Sequence, residues 1–370
     1  MSVVIATHGD GRCLPDLLGD LLRLDPPPSQ IIVVADNPSP SLLDRVPRSP
    51  RIELIVREER LGKVSALNHA IGLAGGDILL FLDDDVRVPD RALLAKIADA
   101  LKGSDIADIK KVIDGKGLLA GLVYIEYLGL NLASMMLAKL AHRSPMVNGA
   151  AFAATRSLVE RLGGFNPVLY EDLDLATRAF LQGARYTFIN DTYVANKPPS
   201  SWREWLRQRK RWSIGAALWL RDYLRPLLAA LKDIPHVAAA ALVVALPSIV
   251  STAIVFLYEA TPVAKLAYLV LLLASSILSQ LLPVASLISV NLHLALAARL
   301  IVLVSMLAAL SLPYLAASRL LHVKSRALLY PVYLLVYQPL WFTVLLGGMA
   351  RVYLLGREDV EDWVVPPGGG

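Results

Sequence analysis

The sequence predicts an α/β domain, a mostly parallel sheet with helices on both faces, followed by an α-helical membrane region. Two observations carry this. Short apolar strand-like runs alternate with helical patterns about every dozen residues through the first part of the chain. Charge is then withdrawn: between Pro235 and Leu355 only Glu259, Lys265, Arg299, Arg319, Lys324, Arg326 and Arg351 interrupt the apolar sequence. The 370 residues are 55% hydrophobic and 19% charged, against roughly a quarter charged in soluble domains. A bilayer requires such a stretch and a soluble core does not.

Val3-Val4-Ile5-Ala6 is a buried-strand run closed by Thr7-His8-Gly9-Asp10-Gly11. Leu14, Leu17, Leu18, Leu21 and Leu22 have helical spacing, and Pro26-Pro27-Pro28 ends that segment. Ile31 to Ala35 is a second strand ending at Asp36, and Arg51 to Arg57 a third. Lys63 to Ala74 reads as a helix, and Asp77 to Leu82 as a strand running straight into Asp83-Asp84-Asp85. In a sheet of this kind, ligands bind beyond the carboxyl ends of the strands. The Thr7 loop, Asp36 and the acidic triplet all fall at that edge.

Acids at a strand end also serve as solvated turn residues, or cap a helix such as the one expected after Pro89. Three in succession after an apolar strand repel one another, and a cation offsets that repulsion. Hard carboxylate ligands favour Mg²⁺ or Mn²⁺. Neither GxGxxG nor GxxxxGK[ST] is present, so the dinucleotide and P-loop fingerprints are excluded. The single cysteine, Cys13, rules out an internal disulfide and a thiolate zinc site. The net charge of +5 sits largely beside the membrane region, which points to anionic lipid rather than nucleic acid.

The segments Val3–Thr7, Val33–Asp36, Gly62-Lys63-Val64-Ser65-Ala66-Leu67-Asn68, Gly76-Asp77 and Phe81–Asp85 resemble the GT-A domain of family-2 glycosyltransferases. Asn148-Gly149-Ala150, Gly163-Gly164-Phe165, Glu171-Asp172-Leu173-Asp174 and Gln208-Arg209-Lys210-Arg211-Trp212 continue the resemblance in order. The last two are similar to the TED and QxxRW signatures of the processive and cellulose-synthase-like branch. The TED position reads Tyr170-Glu171-Asp172 here. Arg87 stands where some polyprenol-phosphate sugar synthases place an extra metal ligand, a role arginine cannot fill.

The resemblance implies an inverting, metal-dependent transfer of a hexose from a nucleotide sugar, with GDP-mannose favoured over UDP-sugars. Asp36 would contact the base, Lys63 the diphosphate and Thr7 the nucleotide pocket. Asp83 and Asp84 would lie by the nucleotide sugar, and Asp85 with Asp83 would ligate Mn²⁺ or Mg²⁺. Asp172, with Glu171 beside it, would be the catalytic base. Gln208, Arg211, Trp212 and Asn148 would border the diphosphate and acceptor side. The implied acceptor is a polyprenyl (dolichyl-type) phosphate or a lipid-linked glycan. A processive polysaccharide synthase, and a non-enzymatic nucleotide-sugar-binding membrane protein or transporter subunit, are the alternatives.

Residues 1–200 are thus expected to form the GT-A domain, and 201–233 an interfacial helix carrying Trp202, Trp205, Trp212 and Trp219 among arginines. Three or four membrane helices are expected over 234–355, and a tail over 356–370. Leu118 to Leu140 is long and apolar but lies between the triplet and the Asp172 motif. It is expected to be a docked helix, not a span. Val237–Tyr258 and Leu266–Ser289 are expected spans, 292–318 an interfacial or re-entrant segment, and 327–350 a further span. No cleavable signal is visible, and the basic Arg319–Arg326 loop places the catalytic domain in the cytoplasm of a multi-pass cell-membrane protein.

Overall fold

A computed structural model describes residues 1–233, 270, 273 and 283–359. The chain divides into two compact units, Met1–Val244 with Thr343–Gly370, and Ala245–Phe342.

The first unit is built on an eight-stranded sheet. In chain order its strands are β1 (Ser2–Gly9), β2 (Gln30–Pro38), β3 (Ile52–Arg57), β4 (Ile78–Asp83), β5 (Val86–Arg87), β6 (Ile106–Ile113), β7 (Ala151–Thr155) and β8 (Tyr186–Asn196). Their spatial order is β3-β2-β1-β4-β7-β6-β8-β5. The half expected from sequence, β3-β2-β1-β4, is parallel throughout. The other half is mixed, because β7 runs antiparallel to both β4 and β6 while β6 and β8 are parallel. The sheet is mixed, with the expected helices on both faces. β7 reads Ala-Phe-Ala-Ala-Thr, too short and too poor in β-branched residues to signal a strand on its own.

Both faces of the sheet are buried, so the β-period of two sorts side chains between two cores. Val4, Ile32, Val34, Leu79 and Phe81 enter one core. Val3, Ile5, Ile31, Val33, Leu80 and Leu82 enter the other. Helices α1 (Leu14–Leu22), α2 (Pro40–Leu43) and α4 (Leu93–Ala100) supply the second core, whereas α3 (Lys63–Leu73), α6 (Arg156–Leu162) and α7 (Glu171–Leu181) supply the first. Phe81 stacks on Phe152 at 4.8 Å and meets Phe165 edge-on at 5.2 Å, joining β4, β7 and the loop before α7.

The apolar segment from Leu118 forms α5 (Leu118–Ala141), which packs on β6 and β8. This helix is long and apolar enough to cross a membrane. Helix α8 (Trp202–Asp233) packs along α7. Trp205 is buried, Trp212 is partly buried, and Trp219 packs against the first core and donates to Thr177 at 2.8 Å. Only Trp202 of the four tryptophans is exposed. The other three rings serve packing, and Arg203, Leu206, Arg207, Lys210 and Arg211 are exposed.

The expected span Val237–Tyr258 and most of Leu266–Ser289 lie outside the described residues. The segment 292–318 falls within one continuous helix, α9 (Pro283–Leu320), and not in a re-entrant turn. Its Leu300–Leu320 part, like Ala327–Tyr353, is long and apolar enough to cross a membrane. The latter ends in α10 (Gln338–Tyr353). Within the second unit Gln338 donates to the Tyr314 hydroxyl at 2.8 Å, satisfying two buried polar groups in apolar surroundings.

Candidate active site

Parallel registration puts three loop positions at one sheet edge. Ala6 pairs with Asp83 and His8 with Asp36, so β1, β2 and β4 end together. Beside the carboxyl end of β4, α3 begins with Lys63 and α7 with Glu171-Asp172. A recess lined by Lys63, Asp83, Gly149, Glu171 and Asp172 is floored by Leu67, Phe81, Leu82, Phe152 and Phe165.

Lys63 is the hub. Its ammonium lies 2.9 Å from Asp83 and 2.9 Å from Glu171. Burial opposes its charge, but Asp83, Glu171 and Asp172 outweigh that and hold its pKa well above the ordinary lysine value. Asp83 of β4 and the adjacent Glu171-Asp172 of α7, far from it in sequence, are therefore gathered round one cation.

Gly149 N–H donates to Asp172 Oδ2 at 2.8 Å, and Leu173 N–H donates to Oδ1 at 2.8 Å. Burial and the adjacent Glu171 nevertheless push Asp172 up to about 6, a value suited to a base working near neutrality. Glu171, Asp172 and Asp174 lie in the first turn of α7, at the positive end of its dipole.

In the triplet, the Thr7 hydroxyl donates to Asp84. Burial and Asp83 raise Asp84 above the ordinary carboxyl value. Burial, Asp83 and Asp84 push Asp85 up to about 7. Among the described residues no three acid, imidazole or thiol side chains form a ready metal cage. The donor set still fits a small hard cation, which ordinarily takes one or two carboxylates and completes its shell with phosphate oxygens and water. The raised carboxyls are what such an ion would relieve.

Asp36 is buried, with Oδ2 accepting from Gly62 N–H at 2.8 Å and Oδ1 facing Arg57 at 3.5 Å. Arg57 is also held by Ser65 and His69. Arg87 turns toward α1, where it donates to Asp20 at 2.6 and 3.0 Å.

Asn148 lies in the loop before β7 and accepts from Ala150 N–H at 3.1 Å. The buried Tyr127 hydroxyl of α5 interacts with its side chain. In α8, Arg211 is exposed, while Arg209 is fully buried and ion-paired with Glu126 of α5. The Arg209 guanidinium also donates to Gln208 at 2.7 Å and stacks 4.1 Å over the Trp212 ring. Sequence reasoning singled out Arg211, Gln208 and Trp212, and missed Arg209. The signal for it was Glu126, an acid inside an apolar helix, which demands a buried partner.

Also missed was Asn68. It donates to the Phe165 carbonyl at 2.8 Å and accepts from the Phe165 N–H at 2.9 Å, fixing the loop that leads to α7. Gly163, at φ +75°, caps α6 as its sequence suggested.

Residues 1–215 match the family model described as glycosyltransferase like family 2. Over 230 residues the chain is 26% identical to the probable glycosyltransferase YdaM of Bacillus subtilis (strain 168), covering 58% of this chain and 54% of that protein. A shorter match, 39% over 62 residues, joins 17% of this chain to 12% of probable glucomannan 4-beta-mannosyltransferase 14 of Arabidopsis thaliana. The chain thus spans little more than half of the first relative and a small part of the second. The fold is shared with the mannosyltransferase PcManGT from Pyrobaculum calidifontis, solved with GDP-Man and Mn2+. The two have a TM-score of 0.52 and 21% identity over 81% of this chain and 85% of that one.

Proposed function

This chain belongs to glycosyltransferase family 2, and we propose that it moves a hexose, mannose first, from a nucleotide diphosphate sugar to a membrane-associated acceptor. The observation that carries this is the Lys63 hub. It ties Asp83, the first acid of the triplet at the end of β4, to Glu171 at the start of α7 beside one recess, 2.9 Å from each. Loss of the sugar from a diphosphate develops charge on the leaving phosphate, and Lys63 is a fixed cation beside that position. Asp85 and Asp83 would hold Mn²⁺ or Mg²⁺. When bound, that ion supplies further charge stabilisation to the diphosphate. A polyprenyl phosphate attacks as the anion and needs no base. With a glycan acceptor Asp172, held by Gly149 and Leu173, takes the proton of the attacking sugar hydroxyl. In both cases direct displacement inverts the anomeric centre.

Support for mannose and for GDP comes from the similar proteins: PcManGT was solved with GDP-Man and Mn2+, and the Arabidopsis relative is named a probable mannosyltransferase. Support for a membrane-associated acceptor comes from the long apolar helices after the domain. A polyprenyl phosphate is the acceptor we favour. The names of the glucomannan relatives favour a growing glycan as the second reading. The test is a donor screen with full-length protein, Mn²⁺ or Mg²⁺ and polyprenyl phosphate. Consumption of one nucleotide sugar supports the reading; consumption of none under any pairing removes it.

A further inference from the structure

The start of α7, where the recess acids stand, is tied to the end of α10. Tyr170 immediately precedes Glu171-Asp172. Its ring is buried in one cluster with Ile214, Ala217 and Leu218 of α8 and Val352 of α10. From Thr343 onward α10 belongs to the same compact unit as the sheet. It is also part of Ala327–Tyr353, the stretch long and apolar enough to cross a membrane.

Two features hold α10 in this place. The first is a close approach of small residues, by which helices in apolar surroundings bring their backbones together. A Cβ on Gly348 would stand 2.6 Å from the Ser213 Cβ and 2.8 Å from the Ser213 carbonyl carbon. A larger residue at 348 must therefore push α10 away from α8. Further along, the Tyr353 hydroxyl donates to the Ala217 carbonyl at 3.1 Å. The second feature is a polar chain. Tyr170 donates to Asp222, Arg221 donates to Asp222 at 2.9 Å, and Arg221 also pairs with Glu358, which follows α10.

Both routes converge on Tyr170, the N-cap residue of α7. Its side chain makes no capping bond to that helix, so the place of the first turn is set by what Tyr170 packs against. The next residue, Glu171, lines the recess and lies 2.9 Å from Lys63.

We infer that Tyr170 is a positioning residue through which α10, seated on α8, fixes the first turn of α7 and keeps Glu171 against Lys63. The inference rests on reading the recess as the nucleotide site. Its test is calorimetric binding of GDP and of UDP, each with Mn²⁺, to the protein. Gly348→Ala and Tyr170→Leu should each weaken binding of the nucleotide that the wild type takes by about 10-fold, the scale of one lost contact to a charged group. In a Glu171→Gln background, where Lys63 has already lost that charged partner, the same changes should cost less than about 2-fold. Ser213→Gly removes the side-chain atoms that the added Cβ meets, so it should return part of the affinity lost in Gly348→Ala. If Gly348→Ala melts below the assay temperature, Tyr170→Phe, which loses only the bond to Asp222, carries the same comparison with a smaller loss. Unchanged affinity in the single variants overturns the inference. So does a 10-fold loss repeated in full in the Glu171→Gln background, the mark of general loosening. Wild-type protein that binds neither nucleotide overturns the nucleotide-site reading itself, and the inference with it.

Discussion

The Lys63 ammonium stands 2.9 Å from the Glu171 carboxylate and, on its other side, 2.9 Å from Asp83. One side chain at the start of α3 thus ties the end of β4 to the start of α7. Replacing it with methionine leaves two facing acids without their shared cation and removes a donor aimed at the recess. Lys63→Met should lower kcat/KM for the nucleotide sugar by about 100-fold, as loss of one preorganised electrostatic donor does. Steady-state kinetics of hydrolysis and transfer check this.

Gly149 faces Asp172 so closely that an added Cβ would stand 2.7 Å from Oδ2 and 3.2 Å from the Asp172 Cβ. The contact is with a packed carboxylate at the start of a helix, not with a mobile chain end. Gly149→Ala should displace the base, lowering kcat by about 10- to 100-fold on the same misplacement argument. Donor KM should change little. Kinetics beside a thermal melt check whether the loss is local.

Asp172, raised to about 6 by burial and by Glu171, must be ionised to accept a proton. With a sugar-hydroxyl acceptor, kcat/KM should rise with pH through about 6 and then level. With a phosphate acceptor, already ionised, that limb should shrink, and Asp172→Asn should be milder. The stability sign is opposite. A carboxyl whose folded pKa exceeds its unfolded value binds its proton more tightly when folded, so this group's contribution is present below the unfolded value and is lost as pH rises through about 6. Activity and melting profiles against pH check both.

Asn68 satisfies a backbone N–H and a backbone carbonyl of Phe165 with one amide. Asn68→Ala should destabilise the domain by about 2 kcal/mol, the cost of leaving such groups unpaired. Denaturant unfolding measures it.

The parts that sequence disclosed are those whose periodicity and punctuation are local. Val3–Ala6, Ile31–Ala35 and the run into Asp83 carry their strand character and their polar ends within a few residues, so the site edge was legible. β7 was not, because an alanine-rich strand declares itself only through Phe152 stacking on Phe81. Nor was the choice of arginine in Gln208–Trp212. Helical spacing identifies a shared face, but whether Arg209 or Arg211 is buried depends on Glu126, which α5 brings from elsewhere in the chain. The packing of the α8 tryptophans was hidden for the same reason: a Trp-Arg helix suits a membrane surface and also suits a helix packed on α7.

If the acidic triplet and Lys63 form a metal-dependent nucleotide-sugar site, release of GDP from GDP-mannose by the protein with Mn²⁺ and polyprenyl phosphate, wild type against Asp85→Ala, reads it directly. Wild-type turnover should be abolished by a chelator and absent in Asp85→Ala. Turnover by Asp85→Ala at the wild-type rate, or wild-type turnover indifferent to chelation, would contradict it.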